Sequence, residues 1–314
     1  AWNDYRKAWE AQGERFDLAG IIPAPVRDED NFFMSPPWEF LRFTMTNNSG
    51  GLTEAQTEAL NKRQVLECSP PDNSSALPEL GNRDAGRRTD LSAWQNYYRG
   101  TNNQFAAADG TLTNYFPIAP TPQTPAKDVL LALTKDATTL QQLRDAARRP
   151  QARFWIPYEA GFRALFSHLP KVKGCVRYLT LHAIAAMADG QPEVAFDDVM
   201  LALRVSDSIK DEPILISQLV NIACAQISLV AIWEGLADHR WTDPQLAEID
   251  GALARLDNGF ANRPGADTFN ALFGGDGRLR SSAMVGAGVD YKINNNLSIG
   301  VGVSVQQGGF GGLR

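Results

Sequence analysis

The residue types that most often carry catalysis are few in this chain, and their spacing does not group them. The three histidines, His168, His182 and His239, form no His-x-x-x-His or Glu-x-x-His pattern. A metal site would therefore need ligands that converge from separate helices. Asp197 and Asp198 are adjacent on a predicted helix, and adjacent helical residues do not share a face. The sequence predicts no catalytic residues, no metal-binding residues and no cofactor.

Two other stretches could carry chemistry, but each has a simpler structural explanation. The segment 274–277, Gly-Gly-Asp-Gly, lacks the Lys-Ser/Thr pair and the strand-to-helix context of a phosphate-binding loop. We interpret it as a turn. An aromatic pocket with one acid could form from four residues close in sequence: Trp155, Tyr158, Glu159 and Phe162. We favour packing of the aromatic side chains in the core.

Composition limits the classes of function. The 314 residues include 30 basic and 36 acidic ones, and the net charge is −6. This balance argues against a dedicated nucleic-acid binder, which usually carries a basic stripe. The three cysteines, Cys68, Cys175 and Cys224, form no Cys-x-x-Cys pair, and their odd number excludes a fully paired disulfide framework within one chain. We expect Cys175 and Cys224 to be small buried hydrophobic residues.

The sequence offers little evidence about membranes. We find no uninterrupted run of about 20 apolar residues and therefore predict no membrane-spanning helix. The chain starts at Ala1 and not at Met. A leader or an anchor that precedes Ala1 would escape detection, so the lack of one here is no evidence for a cytoplasmic protein.

Apolar periodicity predicts helices along most of the chain. Thr124-Pro125 is typical of a helix start, with proline at the first helical position. Asp211 or Glu212, beside Pro213, is the expected cap of a later helix. The predicted helices are 53–66, 91–98, 124–149, 158–169, 171–188, 192–209, 213–237 and 243–256. We expect residues 100–123 to be irregular.

The chain changes its pattern near Asn258, and this change suggests a division into three parts. Residues 1–123 form an irregular, aromatic segment with short helices, whose phenylalanines and tryptophans we expect to pack in the core. Residues 124–257 form an α-helical domain. Residues 258–314 form a Gly-rich linker and a β-hairpin. The predicted fold class is mainly α, with a layer of helical hairpins and a small C-terminal β-hairpin.

One pair of predicted helices, at 177–209, resembles a tetratricopeptide-type repeat. In that motif small residues let two helices approach closely, and a glycine breaks the chain between them. The matching residues here are Ala183, Ala186, Gly190, Ala195, Ala202 and Leu203. Leu179 stands where the motif expects Trp, and Asp207 where it expects the closing proline. A generic helical hairpin with small residues at the crossing remains the alternative.

A wider resemblance covers roughly residues 1–257. The chain is similar there to a group of uncharacterised bacterial envelope proteins in which a membrane helix precedes the block that opens this chain. The similar stretches are Trp2 to Gly13-Glu14, Asp17 to Val26, Asp90 to Trp94, Ala146 to Pro150 and Asp211 to Val220. The resemblance implies an exported helical protein. It implies no activity and no site residues.

The C-terminal residues alternate with period two, which is typical of β-strands. Apolar residues occupy odd positions in 283–293 and again in 297–305, and Asn294-Asn295-Asn296 supplies a turn. Arms of about ten residues have the length of a membrane β-strand, and the pattern resembles one hairpin of an outer-membrane β-barrel. One hairpin is only marginally stable by itself. It could pack on the helical domain, pair with another chain by strand addition, or contribute to a multichain barrel.

These observations favour a non-enzymatic binding or assembly protein of the cell envelope, located in the periplasm or otherwise exported. The expected partner is another protein or a second copy of the chain, with no nucleic acid, and a missing N-terminal anchor could add membrane association. One alternative is a hydrolase-like enzyme, which a deep polar pocket with a carboxylate of raised pKa near Glu159 or Asp211 would favour. Another is a component associated with an outer-membrane β-barrel.

Overall fold

The computed structural model describes residues 2–13, 22–41, 63–70, 77–106, 111–159, 164–261, 291–294 and 297–299. The fold is mainly α with small antiparallel β-hairpins, as the sequence predicts. The helices are α1 (Trp2–Glu10), α2 (Leu91–Arg99), α3 (Pro125–Leu133), α4 (Ala137–Ala146), α5 (His168–Ala188), α6 (Pro192–Asp207), α7 (Leu215–Ala237) and α8 (Asp243–Ala261). The strands are β1 (Gln104–Ala106), β2 (Leu112–Asn114), β3 (Tyr291–Asn294) and β4 (Leu297–Ile299).

Helices α5, α6 and α7 form the central layer. Gly190 adopts a φ of +79° after α5, and the Gln191 N–H donates to Ala186 O at 2.9 Å, so a Schellman-type turn ends the helix. Pro192 then occupies the first turn of α6. Ala183 and Ala195 are fully buried in one cluster at this turn. The predicted helical hairpin is therefore confirmed, and its relation to the tetratricopeptide repeat stays a prediction.

Two hydrophobic clusters show how the layer is arranged. One contains the N-terminal part of α5, the C-terminal part of α6 and Cys224 of α7. The other contains the C-terminal part of α5, the start of α6, and Val230 to Ile232 of α7. Helices α5 and α7 therefore run in the same direction, and α6 runs opposite to both. We call the end that contains Gly190 the turn end, and the end where α5 and α7 begin the open end.

The aromatic N-terminal segment packs in the core, as expected. Phe32, Phe33 and Trp38 are completely buried, and Phe33 meets Phe154 edge-on with 5.3 Å between ring centroids. The same cluster contains Leu179 of α5. Asn31 holds this segment in place, because its side chain donates to Arg153 O at 2.9 Å and accepts from the Arg153 N–H at 2.9 Å. The three-part division of the chain stays a prediction.

The predicted helices at 124–149 and 158–169 were wrong in part. A 3-10 turn at Thr134–Asp136 splits the helix expected at 124–149. The split places the Asp136 carboxylate where it accepts from the Glu67 N–H at 3.1 Å. The helix expected at 158–169 is not helical at 164–166, and α5 begins at His168. Residues 160–163 of that prediction lie outside the described residues.

Two further expectations need correction. The segment 100–123 contains the β1–β2 hairpin, whose register pairs Gln104 with Asn114, so it is not wholly irregular. Neither expected acid caps α7. The cap position is Ile214, and Glu212 instead directs its carboxylate to His168. The Thr124 cap of α3 is confirmed, since its hydroxyl accepts from the Lys127 N–H at 3.3 Å.

The C-terminal region contains the predicted hairpin in part. Strands β3 and β4 pair antiparallel, with Tyr291 opposite Ile299 and Lys292 opposite Ser298, and the register shifts near the turn. The rest of the predicted arms, the segment 274–277 and residues 53–62 of the helix predicted at 53–66 lie outside the described residues. Residues 63–66 of that predicted helix are described and are not helical. Helix α8 extends to Ala261, past the change of pattern at Asn258.

Candidate functional site

The three histidines lie apart, in different surroundings. His168 is fully buried at the open end, where its Nε2 lies 2.7 Å from Glu212 Oε1 and its ring stacks on Phe154 at 3.8 Å. His239 lies two residues after α7, has a φ of +51° and is exposed. Within the part of the chain that the structure describes, no group of three His, Cys, Asp or Glu side chains could hold a metal ion.

His182 belongs to the most chemically capable cluster among the described residues. Asp198 is fully buried between His182 Nδ1, 2.5 Å from its Oδ2, and Arg144, whose guanidinium donates to its Oδ1 at 2.9 Å. A carboxylate at Nδ1 favours the ring tautomer in which Nε2 accepts a proton. Tyr178 stacks on the ring at 6.1 Å. Asp197 is exposed, so the two adjacent acids do not share a face, as predicted.

The proposed aromatic pocket does not form a separate site. Trp155 and Tyr158 are partly buried and pack against the main cluster, while Glu159 is exposed and Phe162 lies outside the described residues. Burial raises the pKa of the Tyr158 hydroxyl, the charge of Glu212 raises that pKa further, and Arg153 opposes both. Tyr158 therefore lies near the buried Glu212, a proximity that the sequence does not indicate.

Cys175 and Cys224 are buried, as expected, Cys68 is buried as well, and all three thiols are free. Burial raises the pKa of Cys68 to about 12 and that of Cys224 to about 12, so neither thiol ionises readily. Burial also raises the pKa of Cys175, and the neighbouring Cys224 raises it further, which places α7 against α5 here. These thiols act as small apolar core residues.

Helix α7 has an inverted distribution of polarity at the open end. Its buried side, at spacings of four, three and four residues, consists of Ser217, Asn221, Cys224 and Ser228. Among the described residues, Ser217 Oγ and Asn221 Nδ2 find no hydrogen-bond partner. On the opposite side Leu215, Ile216 and Leu219 are 44, 45 and 47 % exposed. We call these three leucine and isoleucine residues the apolar face.

Such a helix is unusual for a surface position. Leu215 to Trp233 contains no charged residue. By length and composition alone α7 could cross a membrane, with a mean hydropathy of 1.9 over a window of which 39 % is buried. The sequence reasoning missed this because Ser217, Gln218 and Asn221 interrupt the apolar run. Buried helices of soluble proteins meet the same criteria, so the exposed side of α7 is the more informative observation.

A groove of about 330 Å³ lies at the open end. One wall is the extended segment 23–26, Pro-Ala-Pro-Val, and another is the loop 150–153. The C-terminal end of α6 and the residues after it contribute two basic and two acidic residues: Arg204, Asp207, Lys210 and Asp211. Asp211, which the enzyme hypothesis singled out, therefore lies in a groove, whereas Glu159 does not line it.

Comparisons with known proteins found no counterpart. No protein-family model matches the chain, no curated protein matches it, and no solved structure matches it. The resemblance to bacterial envelope proteins stays a prediction.

Proposed function

We propose that this protein is a non-enzymatic binding or assembly protein of the cell envelope, and that it docks on a second copy of itself through the apolar face. The observation that carries the proposal is the inverted polarity of α7. Three large apolar side chains remain about half exposed on a helix that buries serine and asparagine instead. A surface of this kind is typical of interaction sites.

The lack of charged residues from Leu215 to Trp233 favours a second copy over a charged partner. Each chain carries a net charge of −6, so two copies repel each other overall. Leu215 to Trp233 offers an uncharged region where two copies can meet without like charges facing each other. A two-fold arrangement would place the apolar face of one copy on that of the other.

The expected association is weak. Six half-exposed leucine and isoleucine side chains in a dimer would contribute on the order of 6 kcal/mol, against an association cost of about 4–15 kcal/mol. We therefore expect dimers only at high protein concentration, unless the C-terminal hairpin adds strand pairing. Sedimentation equilibrium over a wide concentration range measures this association directly.

A matched pair of variants tests the surface. Leu219→Glu places a charge on the apolar face and should abolish the association. Leu112→Glu makes the same change at a residue that is 68 % exposed on β2, and it should leave the association unchanged. The proposal fails if the wild-type chain stays monomeric throughout or if Leu219→Glu associates like the wild type. If the wild type, but not Leu219→Glu, floats with anionic vesicles, the apolar face binds a membrane and not a second copy.

The hairpin can be tested separately as a pairing element. A chain that ends at residue 280 should associate more weakly than the full chain if strand addition contributes. If both chains associate equally, the hairpin does not contribute to the association. Dependence of the full chain on detergent for solubility would instead support the alternative in which the hairpin belongs to an outer-membrane component.

The cluster of His182, Asp198 and Arg144 favours a hydrolase-like enzyme as a second candidate. A histidine oriented by a buried carboxylate is suited to accept a proton from water or from a hydroxyl. Hydrolysis of p-nitrophenyl esters by the wild type, lost in a folded His182→Asn variant, would support it. Equal rates for the wild type, the variant and buffer would reject it.

A further inference from the structure

We propose that the groove at the open end binds the carboxylate of a small, largely apolar acid, with Arg153 as its partner. Two sources share this chemistry: the free C-terminus of a short peptide and a branched organic acid. The proposal concerns different residues from the apolar face and does not depend on self-association.

The charge distribution of the groove points to Arg153. Asp207 is already paired, since Lys210 Nζ lies 2.7 Å and Arg204 Nη1 lies 3.7 Å from its carboxylate oxygens. Arg204 is further engaged, because it donates to Arg149 O at 2.8 Å and lies over the ring of Phe32 at 5.4 Å. These groups have little capacity left for a ligand.

Arg153 differs from the other two cations. Its Nε is buried and has no hydrogen-bond acceptor among the residues that the structure describes. An arginine presents several donors in a planar fork that matches a carboxylate. Because Nε has almost no accessible surface, a carboxylate bound in the groove would meet the outer nitrogens of this fork. The backbone of Arg153 is held by Asn31, so the ligand need not order it.

The lining also indicates the charge and the size of the ligand. Three cations face two acids, which leaves a single positive charge. A monoanion such as a carboxylate matches this charge, whereas a phosphate dianion would meet repulsion from Asp207 and Asp211. The wall at 23–26 consists of proline, alanine and valine, and proline has no N–H to donate. A volume of about 330 Å³ accommodates a small ligand with an apolar body.

The binding test uses the 314-residue chain, with the side chains labelled with ¹⁵N. Acetyl-Ala-Val with a free carboxylate, its C-terminal amide and isovalerate are each titrated while the Nε–H resonance of Arg153 is followed. We expect both acids to shift this resonance and the amide to leave it unchanged. Tighter binding of the peptide would identify a peptide terminus as the source, and equal binding would identify a small organic acid.

Two variants complete the test. Arg153→Gln should lower the affinity about tenfold to a hundredfold, the loss expected for one charge-assisted hydrogen bond. Arg148→Gln removes an arginine whose side chain is 81 % exposed outside the groove, and it should bind like the wild type. The proposal is overturned if the amide binds as well as the acid, if a folded Arg153→Gln keeps its affinity, or if saturating acid leaves the wild-type resonance in place.

Discussion

The two ends of the central layer place opposite kinds of residue inside the protein. At the turn end α7 buries Val230, Ala231 and Ile232, and its buried acid Glu234 accepts from Thr89 through the N–H at 2.9 Å and the hydroxyl at 2.7 Å. At the open end the same helix buries Ser217 Oγ and Asn221 Nδ2, which have no hydrogen-bond partners among the described residues.

This difference indicates which end of the layer stabilises the fold and which end can bind a partner. Apolar burial and satisfied polar groups stabilise a fold, whereas buried unsatisfied groups and exposed leucines do not. We infer that the turn end supports the fold and that the open end, with the apolar face and the groove, is available for binding. The following variants test this contrast, from the largest expected effect to the smallest.

Asp198→Ala should lower the free energy of unfolding by about 3–5 kcal/mol, since it leaves Arg144 and His182 without their buried partner. Asp197→Ala, at the exposed neighbour, should change it by less than about 0.5 kcal/mol. Urea denaturation followed by circular dichroism measures both. Similar effects of the two substitutions would mean that the cluster does not stabilise the layer.

Gly235→Ala should destabilise the turn end by about 1–3 kcal/mol, because the added Cβ would overlap the indole of Trp241. Gly251→Ala is the control on α8, where the nearest atom to a new Cβ belongs to the Arg255 side chain at 3.8 Å. It should stabilise the helix by up to about 1 kcal/mol. Thermal unfolding compares the pair, and a neutral Gly235→Ala would contradict the close packing.

Ser217→Ala should stabilise the protein by about 1 kcal/mol, because it removes a buried hydroxyl without a described partner. Ser206→Ala is an equally buried control whose hydroxyl donates to Ala202 O at 2.9 Å, and it should destabilise by about 1 kcal/mol. Changes of opposite sign in the free energy of unfolding, measured by urea denaturation, would support the contrast between the two positions. A loss at Ser217 would show that its hydroxyl is satisfied.

The smallest effect concerns pH. Burial raises the pKa of Glu234 above 4.5, although its hydrogen bonds with Thr89 oppose this shift. The contribution of Glu234 to stability is therefore full below pH 4.5 and is lost as pH rises through the raised pKa. Glu234→Gln keeps an acceptor for Thr89 but does not titrate. The free energy of unfolding of wild type minus variant should fall from acid to neutral pH, and parallel profiles would contradict the shift.

Local signals in the sequence were sufficient to predict the helical hairpin of α5 and α6. The predictions 171–188 and 192–209 agree closely with α5 and α6, because apolar periodicity, Gly190 and Pro192 act over a few neighbouring residues. The start of α5 and the break at Thr134–Asp136 were not predictable in this way. Both depend on side chains, such as Glu212 and Asp136, that bind groups distant in sequence.

The sequence by itself determined the helical class of this protein, the positions of its strongest helices, the C-terminal hairpin and the burial of its aromatic segment. Only the tertiary structure decided which polar groups meet: Asp198 joins residues 16 and 54 positions away, and His168 joins one 44 positions away. It also decided that α7 turns leucines outward and serines inward. Periodicity identifies the apolar residues of a helix, but the side that becomes buried depends on which neighbours pack against it.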